Sequence, residues 1–305
     1  MKKILVISYS QSGQLDRIID HFLIPFDTNK IDIDRVSVQP ATPFPFPWDN
    51  TSFFSCMSDC VLENPIELNP IKLKHERYDL IIVGYQPWFL SPSLPTTGLF
   101  HTPEFTSVLK DTPVITLIGS RNMWINSQHS VVHWIEKYGG KIVANIPFID
   151  RVQNHVSSVT IVHWMMTGKK TRKWGFMPLP GISEEDITGA SQFGELTQEA
   201  ITSGDYSHLQ DNILNTGKIV LPASIMLVEK AGKRIFKIWA KLIQKKGTTQ
   251  KKKEKWSLFF YGYLFFALYI VSPIVIVVYT LLILPLTYGL MKRNKKKYLY
   301  LGIKA

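Results

Sequence analysis

The chain has 305 residues, 45% of them hydrophobic, a formal net charge of +11 and two cysteines. That length supplies one sizeable core plus attachments; Cys56 and Cys60 alone can build neither a zinc site nor a disulfide framework, so both read as free thiols. The charge is segregated, with 18 Lys/Arg against 23 Asp/Glu in residues 1–229 and 17 against 1 in residues 230–305, a distribution that argues against nucleic acid and for a basic tail directed at anionic lipid.

Met1-Lys2-Lys3 leads straight into a strand-like run, Ile4 to Tyr9, so no secretory leader is expected. Ser10-Gln11-Ser12-Gly13-Gln14 follows, then apolar residues at Leu15, Ile18, Ile19 and Phe22, which is helical spacing. Ile31 to Val38 alternates as a second strand. Pro43, Pro45 and Pro47 interleave with Phe44 and Phe46 in an extended segment. Asp79 to Gly84 and Pro113 to Gly119 read as buried strands, with a loop-and-helix stretch from Pro87 to Leu109 between them. Ser127 to Tyr138 reads as a helix stopped by Gly139-Gly140, and Lys141 to Ile146 as the last strand. Strands alternating with helices predict an α/β, doubly wound parallel sheet of the flavodoxin-like class over residues 1–150.

A helical extension is expected over 151–224, with Ser183-Glu184-Glu185-Asp186 as a helix start. Residues 225–250 form a basic amphipathic helix, with Ile235, Phe236, Ile238, Trp239, Leu242 and Ile243 on one face; its expected place is a membrane surface, the alternative being packing on the soluble domain. Leu258 to Leu290 is 33 residues without a charge, split by Pro273. Both flanks are basic, so both ends are expected on the cytoplasmic side of an inner membrane, with the soluble domain facing the cytoplasm. A re-entrant helical hairpin over 256–291, bent near Ser272-Pro273, is therefore preferred to one tilted span, and 292–305 reads as a basic tail.

Three loops at strand ends carry the chemistry. Ser10, Gln11, Ser12, Gly13 and Gln14 offer hydroxyls, backbone N–H groups and a helix start, the makings of an FMN phosphate cradle, although Leu15 stands where flavodoxins place a hydroxyl. The plain alternative is a strand-to-helix turn capped by Ser12. Tyr85, Gln86, Pro87, Trp88 and Phe89 could stack on a flavin ring. Gly119, Ser120, Arg121, Asn122 and Trp124 supply a third loop whose cation could stabilise a reduced flavin, or make an ordinary surface ion pair. His163 lies in an apolar stretch and is either an acid/base or a structural group. Lys169, Lys170, Arg172 and Lys173 read as a solvated basic loop, or as one that meets an acidic carrier or lipid headgroups.

The strings Tyr85 to Ser93, Gly119-Ser120-Arg121-Asn122-Met123-Trp124 and Val162 to Lys170 resemble a bacterial flavodoxin-like family encoded with dialkylresorcinol and flexirubin-type pigment pathways, whose members are often named dialkylresorcinol condensing enzyme. The resemblance runs along nearly the whole chain. It implies either condensation or FMN-dependent oxidation of a lipid-soluble dialkyl-cyclohexane-1,3-dione to the aromatic resorcinol, with the pathway's ketosynthase as a partner. Condensation needs an activated Cys beside a His; here both cysteines are expected in a Pro-flanked loop far from any strand-end His. Oxidation would use His163 or Tyr85 as base and Arg121 to stabilise an enolate, and is preferred. A non-catalytic membrane-anchored electron carrier or scaffold is the rival reading.

Overall fold

Five runs of the chain form one parallel sheet in a computed structural model that describes residues 1–303: β1 (Lys2–Ser8), β2 (Ile31–Ser37), β3 (Leu80–Tyr85), β4 (Pro113–Ser120) and β5 (Lys141–Ile149). Their order is β2-β1-β3-β4-β5, every neighbour parallel, which is the flavodoxin-like order with its reversal between β1 and β3. β1, β3 and β4 have sheet neighbours on both sides and helices on both faces, so their sequences are almost unbroken Ile, Val and Leu. β2 is an edge strand and keeps its alternation.

On one face Ile4, Val6, Leu80 and Ile82 pack against α1 (Gln14–Leu23) and a helical layer beyond it. On the other, Leu5, Ile7, Ile81 and Val83 share a core with residues from Leu99 to Leu109 and with a helix later in the chain. The cysteines sit in helical structure rather than a loop. α2 (Asn50–Ser55) ends at Cys56, and α3 (Met57–Leu62) carries Cys60. α4 (Leu94–Leu99) and α5 (Ile125–Lys137) complete that second face, and α6 (Asn154–Thr167) crosses above the strand ends. α7 (Glu184–Thr188), α8 (Ala190–Ser203) and α9 (Leu209–Asn215) form the layer over α1. Ser183 starts α7 as its spacing suggested, its Oγ accepting the Asp186 N–H at 3.1 Å.

The amphipathic segment becomes α10 (Ala223–Lys246), and its apolar face turns inward. Ala240 and Ile243 are buried, and Phe236 and Trp239 pack edge-on against Phe260. Much of this face packs on the domain, while Ile238, expected on the same face, is 67% exposed.

α11 (Gln250–Leu299) is a single unbroken helix of 50 residues. The expected break at Ser272-Pro273 is absent. Two π-helical turns, Ala267–Val271 and Tyr279–Ile283, stand directly before Pro273 and Pro285. A wider turn moves aside the carbonyl that the proline ring would strike and absorbs the missing N–H, so the helix bends without stopping.

Both ends of α11 rest on the same body. Lys253 Nζ meets Asp59 of α3 at 2.6 Å, and the Tyr298 ring lies 6.1 Å from that of His129 on α5. α3 and α5 are themselves joined, Ser130 Oγ donating to Glu63 at 2.6 Å. Those links bring Lys253 and Tyr298 within about 50 Å at full side-chain stretch, whereas a straight helix between them would run about 68 Å. The helix is therefore bowed, and its middle stays on the body through Tyr269, whose hydroxyl lies 2.7 Å from Ser158 Oγ of α6. The expected basic tail continues α11: Lys292 to Lys297 are helical, and Tyr298 to Ile303 dock beside Val132 and Ile142. Lys304 and Ala305, the end of that tail, lie outside the described residues.

Candidate functional site

β1 delivers Ser10-Gln11-Ser12-Gly13 to the carboxyl edge of the sheet. Gly13 adopts φ +76°, and a Cβ there would meet nothing within 4 Å, so the turn is left-handed with open space above it. The first amides of α1 have no acceptor in the helix, which makes this end positive. Ser10 Oγ is buried without a hydrogen-bond partner. Leu15 fills the place of the missing hydroxyl with packing instead: it is buried against Gly84 and Gly119, a burial contributing about 2 kcal/mol.

Two glutamines of the loop are spoken for. The Gln14 amide pairs with the Ile182 backbone in both directions, at 3.0 and 3.1 Å, and so fastens the segment before α7 across the helix start. The Gln11 side chain donates to the Pro45 carbonyl at 2.8 Å, and its backbone N–H donates to Gln86 at 3.2 Å. Ser12, with the free amides around it, is left to face a ligand.

The loop after β3 folds back as a two-residue antiparallel pair, Pro87–Trp88 with Ser91–Pro92. At its tip Phe89 (φ +48°) and Leu90 (φ +61°) are both left-handed, a conformation costly for these side chains. Lys233 of α10 holds the tip, donating to Ser91 Oγ at 2.8 Å.

The loop after β4 presents Arg121. Its Nη1 donates only to neutral oxygens, the Asn154 carbonyl at 2.9 Å and Asn154 Oδ1 at 2.8 Å, and it makes no ion pair among the described residues. Burial pulls the guanidinium down to about 10, with Asp150 opposing. Although Asp150 is near enough to act on it, the guanidinium makes no ion pair among the described residues and keeps donors free for an anion. Beside it Ser120 Oγ is buried and unpartnered.

These loops open into a cavity of about 560 Å³, within the usual range for small-molecule sites. Trp88 and Phe46 line one side, Ser120 and Arg121 the floor, and α6 the other wall through Ser158, Ile161, Val162 and Met165. The roof is α10, through Leu227, Ala231 and Ile235, and α11, from Tyr263 to Val275. Arg121 is its only charged lining residue among those described.

Of the residues singled out from the sequence, Gln11, Ser12, Gln14, Gln86, Pro87, Trp88, Phe89, Gly119, Ser120 and Arg121 line the cavity. Others do not. Tyr85 is fully buried under the sheet end, its hydroxyl donating to Gln128 at 2.6 Å and pushed far above the ordinary phenol range by burial. It begins a buried relay through Gln128 and Asn145 to the Leu301 carbonyl, so its role is to dock the C-terminal end of the chain. His163 lies one residue beyond Val162 on α6, off the cavity face, its Nε2 3.3 Å from Thr171 Oγ1. Asn122 donates to Asn154 at 2.9 Å, and Trp124 is core. Neither proposed base reaches the cavity.

The thiols do not reach it either. Cys60 Sγ points at the Trp88 and Pro92 carbonyls, at 3.1 and 3.2 Å, and burial raises both thiols, Cys56 to about 12. The residues missed from the sequence include Phe46, the roof and the α6 wall, where the Ser158 hydroxyl lies 2.7 Å from that of Tyr269. Spacing at 158, 161, 162 and 165 is the one signal that could have found the α6 wall.

No protein-family model and no curated relative matches the chain. Among solved structures it is similar to a flavoprotein from Lactobacillus acidophilus in complex with FMN, at 18% identity and TM-score 0.38, over 48% of this chain and 93% of that one. It is also similar to an archaeal flavodoxin, at 11% and 0.36 over 66% and 99%, and to oxidised flavodoxin 1 from Bacillus cereus, at 12% and 0.33 over 63% and 94%.

Proposed function

We propose that this chain is a membrane-attached, flavodoxin-like oxidoreductase that holds FMN at the carboxyl edge of its sheet and oxidises a lipid-soluble, enolisable ring. The specific reaction we assign is the aromatisation of a dialkyl-cyclohexane-1,3-dione to a dialkylresorcinol. The observation that supports it best is the cavity itself: apolar on nearly every side, it has one desolvated cation, Arg121, at the edge where the three strand-end loops meet.

Ser12, Gly13 and the start of α1 would hold the phosphate, Trp88 would flank the ring system, and Ser120 Oγ would give its unused hydrogen bond to a ring heteroatom. When bound, FMN supplies an acceptor for the two electrons that leave the substrate ring. Arg121 stabilises the enolate oxygen, which a cyclic 1,3-dione forms readily, so the first ionisation needs no strong base nearby. The roof keeps water from that oxygen and receives the alkyl chains. Condensation is disfavoured, because both thiols are buried, protonated and turned away from the cavity.

Titration of FMN with the purified full chain tests the reading: its fluorescence should fall with saturation at one equivalent, and the loaded protein should convert dione to resorcinol. Absence of binding would remove the flavin; binding without conversion would leave an electron carrier.

A further inference from the structure

Part of the cavity's lining is also outer surface. Phe266, Val271 and Val275 of α11 and Val162 of α6 line the cavity and are also exposed on the outer surface. One wall of the cavity is therefore continuous with the apolar outer face of the bow, where Ile274 and Leu281 are 63% and 68% exposed. The surface carries a second exposed apolar feature. The segment after α6 projects Trp174 and Phe176, 67% and 75% exposed, as a stacked pair with ring centroids 6.1 Å apart. Lys173 Nζ sits over the Trp174 ring at 4.9 Å, and Arg172 is adjacent. Exposed aromatics with basic neighbours suit the boundary between headgroups and acyl chains.

From these features we infer that α11 and the Trp174–Phe176 segment form one docking surface for an anionic phospholipid bilayer, entered from one side and not crossed, with the cavity opening directly into the acyl region. The bow fixes the sidedness. Its two ends are held on the same body, and each carries a basic cluster, Lys251 to Lys255 and Lys292 to Lys297, placed to meet headgroups of a single leaflet. The backbone of the submerged stretch satisfies its own hydrogen bonds because it remains helical through both prolines. Substrate then reaches Arg121 by moving sideways from the leaflet between α6 and α11, and never passes through bulk water.

This rests on the membrane attachment proposed above and is independent of the flavin. The test uses the full chain in sealed vesicles of phosphatidylcholine with about a quarter phosphatidylglycerol, treated with a membrane-impermeant maleimide. Wild-type protein, whose cysteines are buried, is the blank. A Lys255→Cys/Lys295→Cys double variant should take two labels or none per molecule, whichever way each molecule was inserted. One label per molecule would mean a crossing helix and overturn the inference. In the same vesicles Val275→Cys and Trp174→Cys should react at least about tenfold more slowly than Lys295→Cys, because the thiolate is suppressed outside water. Equal rates would overturn it, as the surface would then be wet. Failure of the wild-type chain to float with the vesicles would instead remove the membrane attachment itself.

Discussion

Arg121 differs from the two other candidate catalytic residues in what surrounds it. Its charge is desolvated and faces neutral amide oxygens, so it retains unspent capacity for an anion. Tyr85 and His163 have no such reach, one closed into the core and the other off the cavity face. Arg121→Met should lower turnover of the dione about a hundredfold, the size of losing one oxyanion donor, whereas His163→Ala should leave it within about twofold, having no contact with the site. Tyr85→Phe should also keep turnover but strand the Gln128 carbonyl oxygen, at a stability loss of about 1–3 kcal/mol. Steady-state rates and thermal melts of the three variants separate these outcomes; a dead His163→Ala would return the base to α6. The loop around Ser12 was legible because its residue types and its place after β1 agree. The mistaken bases were not, since a Tyr at a strand end and a His in an apolar run look alike whether they face a cavity or a core.

At the scale of elements, the buried strands announced themselves as apolar runs because β1, β3 and β4 lose water on both faces. The bow of α11 was only half legible: Pro273 signals a bend, but nothing local shows that Tyr298 to Ile303 come back to α5. That return depends on a fit between Gly302 and Val132. Gly302 has φ +78°, and a Cβ would lie 2.6 Å from Val132 Cγ1, so Gly302→Ala should cost about 1–3 kcal/mol by strain and overpacking. The loss should appear as faster tryptic cleavage at Lys295 to Lys297; an unchanged digest would mean that the end is not docked.

α10 is tied to α5 by a buried carboxyl. Glu229 accepts the Asn126 N–H at 2.7 Å, its other oxygen has no partner, and burial raises it to about 7. Below the ordinary carboxyl range both folded and unfolded chains are protonated and the group contributes nothing to pH dependence. As pH rises towards 7 the unfolded chain ionises first, so the folded state loses stability, by about 3 kcal/mol in all, and the loss levels off above about 7. Glu229→Gln keeps the acceptor for Asn126 and removes the ionisation. Its melting temperature should stay flat across that window where the wild type falls; parallel curves would place the titration elsewhere.

For the molecule as a whole, the segregated charge finds a physical reason in the bow. On the docking inferred above, an acidic body would repel the anionic surface while two basic clusters and the Trp174 segment draw it in, so that the protein would meet the bilayer in one orientation. The consequence is kinetic. An enzyme that fills from the leaflet responds to the mole fraction of substrate in lipid, not to its amount per volume of buffer. With enzyme fully vesicle-bound and total dione fixed below saturation, doubling the phospholipid halves the surface concentration of substrate and should lower the initial rate by about twofold, the change expected when occupancy is proportional to local concentration. The same dilution made with buffer, at constant dione-to-lipid ratio and constant enzyme, should leave the rate per enzyme unchanged. A rate that follows the buffer volume and ignores the lipid would mean that the cavity fills from water, and that the apolar face of α11 serves attachment alone.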